Sequence, residues 1–176
     1  MNLVTLLHDK FFLGQEFLTW LWWNIEIKKE FILPDGTSFF LGLGERLALV
    51  PLAGHEGARV AIAGRDTNLA EARQSLRQGK LLESARLYID YGGEEYWFNL
   101  DAATLTPHAI RLPKTVSFNS FGEKVEIEGQ FLERIALLEG LVKAINFLWL
   151  TFLELRTHQP QELKKQFQNL VDEEEL

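Results

Sequence analysis

The segment NLAEARQSLRQGKLLESARLYIDYGGEEYWFNL, residues 68–100, decides the fold that we expect. It opens with a capping box, Asn68-Leu69-Ala70-Glu71, in which a side-chain acceptor and a later carboxylate satisfy free backbone amides. Gly79 stands at the position where a helix commonly ends with a residue in the left-handed conformation. Apolar residues between these two signals recur at helical spacing, at Leu69, Ala72 and Leu76. The pattern predicts a short helix that stops at Gly79-Lys80.

After Lys80 the apolar period changes from 3.6 to 2 residues, as a strand with one buried face requires. Gly92-Gly93 can supply both positive φ values of a two-residue hairpin turn. Closing the chain there places three apolar pairs on one face: Ile89 opposite Tyr96, Leu87 opposite Phe98, and Ala85 opposite Leu100. The side chains themselves therefore specify the register of this hairpin.

The remaining elements follow from shorter patterns on either side of this segment. We expect a first helix from about Phe12 to Asn24. Further strands are predicted at Glu30–Leu33 and Ser38–Leu41, on either side of the turn Pro34-Asp35-Gly36, and at Arg46–Val50, Arg59–Ala63 and His108–Leu112. The whole chain, 1–176, should form a single α+β domain. Its antiparallel meander sheet is packed by a long C-terminal helix and an N-terminal helix.

The long helix is expected at about 129–156 and carries two apolar rows. The first row has the heptad spacing of a packing seam: Phe131, Ile135, Leu138, Val142, Ile145, Trp149 and Phe152. Val142 lies in the middle of this seam, so Val142→Asp should unfold the domain. We interpret the helix as a core or dimer helix and not as a membrane span, because Glu139, Lys143 and Asn146 interrupt its apolar stretch. The tail, 161–176, is amphipathic and then acidic.

A homodimer is predicted because two apolar faces on one helix need two surfaces to pack on. Trp22 and Trp23 also lie off the apolar stripe of the first helix. They can stack on bases, but no basic residue interleaves them, so we favour a contact with a second subunit or with the sheet. The predicted dimer interface comprises Trp22, Trp23, Leu141, Leu148 and Trp149.

The net charge opposes binding to nucleic acid, whereas the local distribution of charge favours it. The net charge of −7 opposes non-specific DNA binding, which depends on neutralising phosphates. However, positions 59–86 hold six basic and three acidic residues, a local charge of +3 on a chain whose remainder carries −10. Arg73, Arg77 and Lys80 are spaced i, i+4, i+7, so they either straddle phosphates or flank the apolar face with their stems.

Motifs of catalysis and targeting are missing from the sequence. It has no cysteine, its four histidines never stand at ligand spacing, and Gly42-Leu43-Gly44 lacks the third glycine of a dinucleotide loop. We therefore predict no enzyme, metal, cofactor or small-molecule substrate. Met1–Thr5 lack the features of a secretion signal, so a cytoplasmic location is expected, and a nucleoid-associated one if the protein binds DNA.

Several of these segments together resemble the C-terminal region of the bacterial recombination-associated protein RdgC. The resemblance rests on Glu71–Leu87, the hairpin, Asp101, Ile110-Arg111-Leu112, Phe131-Leu132-Glu133-Arg134, Leu138-Glu139-Gly140-Leu141 and, at the front, Phe12–Trp22. It implies a non-enzymatic protein that binds duplex DNA with little sequence preference, forms ring-shaped homodimers and restrains the RecA recombinase. Familiar members are longer, and the N-terminal part of those proteins has no counterpart here.

The resemblance places a DNA-contacting tip just before the capped helix. The matching positions are Ala63, Gly64 and Arg65, of which one is charged. With the local +3 segment, the predicted DNA-binding residues are Arg59, Arg65, Arg73, Arg77 and Lys80. The alternative hypothesis is a homo-oligomeric protein–protein interaction module of the same fold without DNA binding.

Overall fold

The computed structural model describes residues 10–51, 58–63, 69–114 and 123–172, and it confirms the α+β class. The elements in chain order are α1 (Lys10–Glu26), β1 (Glu30–Ile32), β2 (Ser38–Pro51), β3 (Val60–Ala63), α2 (Leu69–Arg77), β4 (Lys80–Tyr91), β5 (Glu94–Asp101), β6 (Pro107–Arg111), α3 (Glu123–His158) and α4 (Pro160–Asp172). Asn68 of the predicted capping box and the tip residues Gly64 and Arg65 lie outside the described residues.

The six strands form one antiparallel sheet. Its order is β1-β2-β4-β5-β6, and β3 pairs with β2 beside β1. The strands predicted at 38–41 and 46–50 are two parts of the single strand β2. Between them, residues 44–46 stand opposite Arg86 alone, because Leu43 pairs with Leu87 and Leu47 pairs with Ala85. Strand β1 pairs with β2 before this bulge and β3 pairs with it from the end of the bulge onward, along the same edge.

The β4–β5 hairpin forms in the predicted register. Ile89 pairs with Tyr96, Leu87 with Phe98 and Ala85 with Leu100, and all six side chains are buried. Gly92 and Gly93 have φ values of 61° and 95°, as a two-residue turn with positive φ at both central residues requires. Gly79, with φ 81°, ends α2 as predicted. Local sequence thus accounts for this part of the fold.

Helix α1 covers the sheet and is itself covered. It contacts β2 and β4 on one side and both C-terminal helices, α3 and α4, on the other. Trp22 is therefore 1% exposed and Trp23 8% exposed, so the expectation that they form a dimer contact is wrong. The helix is buried all round because it lies between two layers, which a single-stripe helical wheel does not anticipate.

Two contacts fix the position of α1. The Arg156 Nε atom of α3 lies 2.6 Å from Glu16 Oε2, and both side chains are less than one fifth exposed. Two residues earlier in the same helix, a Cβ on Gly14 would lie 1.9 Å from the carbonyl oxygen of Ala102. Only glycine therefore allows α1 to approach the end of β5 so closely.

Helix α3 buries side chains in its C-terminal half, and none of its side chains from position 128 to 140 is buried. From Leu141 onward it contributes Leu141, Ala144, Ile145, Leu148 and Phe152 to the core. Leu141 and Leu148 are thus core residues, so the predicted dimer interface is wrong at these two positions too. Trp149 is half-buried against Phe17 and Phe152, and its place in a dimer interface stays a prediction. Val142 is 46% exposed, which contradicts its assignment to a buried seam.

Candidate functional site

The exposed face of the N-terminal half of α3 is the main candidate for a functional surface. Four large apolar side chains repeat there at spacings of four, three and four residues. We name this set the α3 stripe: Phe131, 63% exposed, Ile135, 37%, Leu138, 37%, and Val142, 46%. Between positions 128 and 140 no side chain of α3 is buried. The stripe therefore has no cover within the described part of the chain.

The centre of the α3 stripe is a shallow apolar hollow of about 380 Å³. Ile135, Leu138 and Val142 line it, and Glu139 and Lys143 stand at its margin. Apolar surface of this kind is stabilised when a second apolar surface removes it from water, at roughly 25 cal/mol per Å². The arrangement is suited to association and contains no reacting group.

Helix α3 also has the length and apolar composition of a possible membrane span. By length and composition Glu128–His158 is the one described helix that could cross a bilayer, although the core helix of a soluble protein passes the same test. Only 28% of its most apolar stretch is buried within the chain.

The predicted DNA-binding cations do not form one free cluster. Arg59 Nε lies 2.5 Å from Glu83 Oε2 at the surface. Arg73 Nη2 lies 2.8 Å from Glu26 Oε2, and Glu26 Oε1 also accepts a hydrogen bond from Trp22 Nε1 at 2.7 Å. Arg73 and Glu26 are each 17% exposed. Arg73 therefore ties α2 to the end of α1, a structural role that sequence spacing did not reveal.

The other three predicted cations are distributed differently. Arg77 is exposed in the last turn of α2, and Lys80 is half-buried at the first position of β4, paired with Pro51. Arg65 lies outside the described residues. Among the predicted cations in the described residues, Arg59 and Arg77 are thus exposed, and Arg73 and Lys80 are partly buried.

A second surface that the sequence did not single out is the sheet face opposite α1, which we call the open face. Tyr88 and Trp97 pair across β4 and β5, with ring centroids 4.6 Å apart, and the Arg86 guanidinium lies 5.4 Å from the Trp97 ring centroid. Burial, followed by the charges of Glu95 and Asp90, raises the pKa of Tyr88. The alternation of β4 predicted which residues share this face, but β2 and β6 complete it from distant parts of the chain.

Side chains that could bind a metal ion do not cluster in the described residues. No group of three or more metal-ligating side chains comes together in 10–51, 58–63, 69–114 or 123–172. His108 Nδ1 lies 3.6 Å from Asp101 Oδ2, and both side chains are more than 40% exposed. This pair is a surface contact at the edge of the open face.

Comparison with known proteins adds no family assignment. No protein-family model matches the chain, and no curated protein or solved structure matches it. The resemblance to RdgC therefore stays a prediction, and function has to be argued from the residues themselves.

Proposed function

We propose that this protein is a non-enzymatic, self-associating module that pairs with a second copy of itself through the α3 stripe. The observation that carries the proposal is the exposure of Phe131, Ile135, Leu138 and Val142, between 37% and 63%, on one face of a long helix. A continuous exposed apolar face is unusual in a monomer and is typical of an interaction site.

The residue types in the stripe favour a second α3 helix as the partner. In heptad notation Ile135 and Val142 occupy a positions, and Phe131 and Leu138 occupy d positions. Branched residues at a with leucine at d favour a parallel two-stranded coiled coil, because these side chains fit the holes of that geometry. The stripe is short, about two heptads, so we expect the two copies to dimerise with moderate affinity.

Charges beside the stripe support the same parallel pairing. Arg134 is at position g, and Glu139 is at position e of the next heptad, and both are exposed. In a parallel pair, Arg134 of one copy faces Glu139 of the other, and symmetry repeats this contact. In an antiparallel pair, like positions face each other and this complementarity is lost.

Sedimentation of Leu138→Lys beside the parent protein tests the proposal. The parent should sediment as a dimer at tens of micromolar, and the variant as a monomer with an unchanged circular dichroism spectrum. The matched control is Leu150→Lys, because Leu150 is on the same helix and 64% exposed but lies outside the stripe. A parent that is monomeric would contradict the proposal, and flotation of that monomer with phosphatidylglycerol vesicles would assign the stripe to lipid.

Charge exchange tests the parallel arrangement. Arg134→Glu and Glu139→Arg should each weaken the dimer, because each variant opposes like charges, and the double variant should restore it. If Leu138→Lys abolishes dimerisation but neither charge reversal weakens it, the α3 stripe is still the interface. The parallel arrangement would then be excluded.

Duplex-DNA binding in the manner of RdgC is a second candidate function. It is supported by the exposed Arg77 next to Lys80, within the segment of local charge +3. Arg59 and Arg73 form ion pairs with Glu83 and Glu26. We propose that contacts with DNA run through the segment as a whole, with Arg59, Arg65, Arg73, Arg77 and Lys80. Repulsion from the acidic remainder should keep the affinity weak and dependent on salt.

A titration of duplex DNA at about 50 and 200 mM salt tests this candidate. The Arg77→Ala/Lys80→Ala variant should bind more weakly on all sequences and show a flatter salt dependence, by about one unit for each phosphate that the variant no longer neutralises. Lys164→Ala/Lys165→Ala removes two exposed charges from α4 and is the matched control. Equal weakening in both variants would indicate diffuse attraction, and no binding by the parent at the lower salt concentration would exclude the candidate.

A further inference from the structure

The open face of the sheet contains a cleft whose shape follows from strand register. Four small or short side chains stand in one row across β3, β2, β4 and β5, because Ala61 pairs with Ala48, Ala48 with Ser84, and Ser84 with Asp101. Small side chains in four adjacent strands leave a hollow above the backbone. Its volume is about 420 Å³, within the range of roughly 300–1,000 Å³ that is usual for small-molecule sites.

The next row of the sheet forms one wall of this hollow. Arg46 of β2, Arg86 of β4, Asn99 of β5 and His108 of β6 all line it. They lie on the same face because Arg86 pairs with Asn99, and Asn99 pairs with His108. Side chains that carry hydrogen-bond donors thus line the hollow from four strands, beside a floor that includes Ala48 and Ala61. Asp101 is the only carboxylate among the described residues that line the hollow, which is therefore positively charged on a chain of net charge −7.

One of the two guanidinium groups is held in place before any ligand arrives. The Arg86 guanidinium packs over the Trp97 ring at 5.4 Å. A Cβ on Gly44 would lie 2.8 Å from Arg86 Cγ and 3.0 Å from Trp97 Cζ3, so the glycine in the β2 bulge leaves room for this pair. Such packing restricts the rotamers of Arg86, and a restricted arginine loses less entropy on binding an anion.

We propose that this cleft is a binding site for a small organic phosphate, with the phosphate held by Arg46 and Arg86. Guanidinium groups bind phosphate oxygens through paired, charge-assisted hydrogen bonds. Two of them, with the Ser84 hydroxyl, the Asn99 amide and the His108 ring, offer more donors than the two oxygens of a carboxylate can use. The floor of Ala48 and Ala61 accepts the carbon skeleton. The site is independent of the α3 stripe and of the α2–β4 turn.

Calorimetric titration with glycerol 3-phosphate, inorganic phosphate and glycerol tests the proposal. We expect one saturable site for glycerol 3-phosphate, weaker binding of inorganic phosphate and none of glycerol. Arg86→Gln and Arg46→Gln should each weaken binding at least tenfold. The matched control is Arg111→Gln, because Arg111 is exposed on the same sheet face but does not line the cleft.

A second variant separates loss of binding from loss of fold. Ala61→Leu fills the hollow from an exposed position, so it should abolish binding while the melting temperature stays close to that of the parent. No saturable binding by the parent would overturn the proposal, and so would equal weakening in Arg111→Gln. Duplex DNA bound through Arg46 and Arg86 without any affinity for glycerol 3-phosphate would also overturn it.

Discussion

In the β4–β5 hairpin each inward-facing apolar side chain meets a partner on the adjacent strand, whereas α3 buries its apolar residues in one half and exposes them in the other. Leu87 and Phe98 of the hairpin are each 1% exposed. Leu148 and Leu138 of α3 are the same residue type on the same helix, yet they are 1% and 37% exposed. A hairpin carries its partner strand in the neighbouring sequence, but a helix face depends on surfaces that arrive from elsewhere.

The largest effect should come from the buried half of α3. Leu148→Ala removes a fully buried side chain from the hydrophobic core, and we expect a loss of about 2–5 kcal/mol in the free energy of unfolding. Leu150→Ala, two residues away and 64% exposed, is the matched control and should change it by less than about 0.5 kcal/mol. Urea denaturation of both variants measures the difference, and equal losses would erase the distinction between the two halves.

A smaller loss is expected at the hairpin turn. Gly93 has φ 95°, a conformation that a β-branched side chain resists, so Gly93→Val should cost about 1–3 kcal/mol. Gly93→Asn should cost less, because asparagine tolerates positive φ better. Thermal melts of the two variants rank them. If valine and asparagine are equivalent, the turn does not limit the stability of the hairpin.

Val142→Asp should leave the stability of the monomer within about 0.5 kcal/mol of the parent, because Val142 is 46% exposed. This outcome is the opposite of the unfolding expected from heptad spacing alone. The variant should nevertheless fail to dimerise, since a charge at an a position opposes pairing. Denaturation at low concentration and sedimentation at high concentration measure the two effects separately. Unfolding of the variant at low concentration would place Val142 in the core.

The smallest effect concerns a hydroxyl at the edge of the core. Burial, followed by the charges of Tyr96 and Asp35, raises the pKa of Tyr91 to about 12, and the Tyr91 hydroxyl has no hydrogen-bond partner among the described residues. The folded protein therefore holds the Tyr91 proton more tightly than the unfolded chain, whose tyrosine pKa is near 10. The resulting contribution to stability is fully present below pH 10 and is lost as the pH rises through about 12. Tyr91→Phe should therefore match the parent at pH 7 and lose less stability at alkaline pH.

Melts of Tyr91→Phe and of the parent at a series of pH values measure this effect. The pKa of Tyr96 is also raised, and that of Lys29 is lowered by burial, which acts in the opposite direction. The relevant quantity is thus the difference between variant and parent. Identical alkaline slopes would mean that the Tyr91 hydroxyl is solvated in the folded protein.

The candidate surfaces differ in how much of each could be predicted from the sequence. The apolar character of the α3 stripe was predictable from heptad spacing, but its assignment to a buried seam was not correct at Val142. The cleft with Arg46, Arg86 and His108 was not predictable, because its residues come from β2, β4 and β6 and meet only through strand pairing. The ion pair of Arg73 with Glu26 was not predictable either, because Glu26 is 47 residues away in sequence.

The sequence by itself determined the elements whose partners are local: the hairpin register, the glycine turn, the end of α2 and the α+β class. Their energetics depend on backbone conformation and on side chains within about a dozen positions. Tertiary structure decided the cover of α1, the division of α3 into a buried and an exposed half, and the convergence of donors on the open face. These features depend on which segments distant in sequence come into contact. Apolar spacing predicts that a helix face is removed from water, but it does not predict which surface packs against that face.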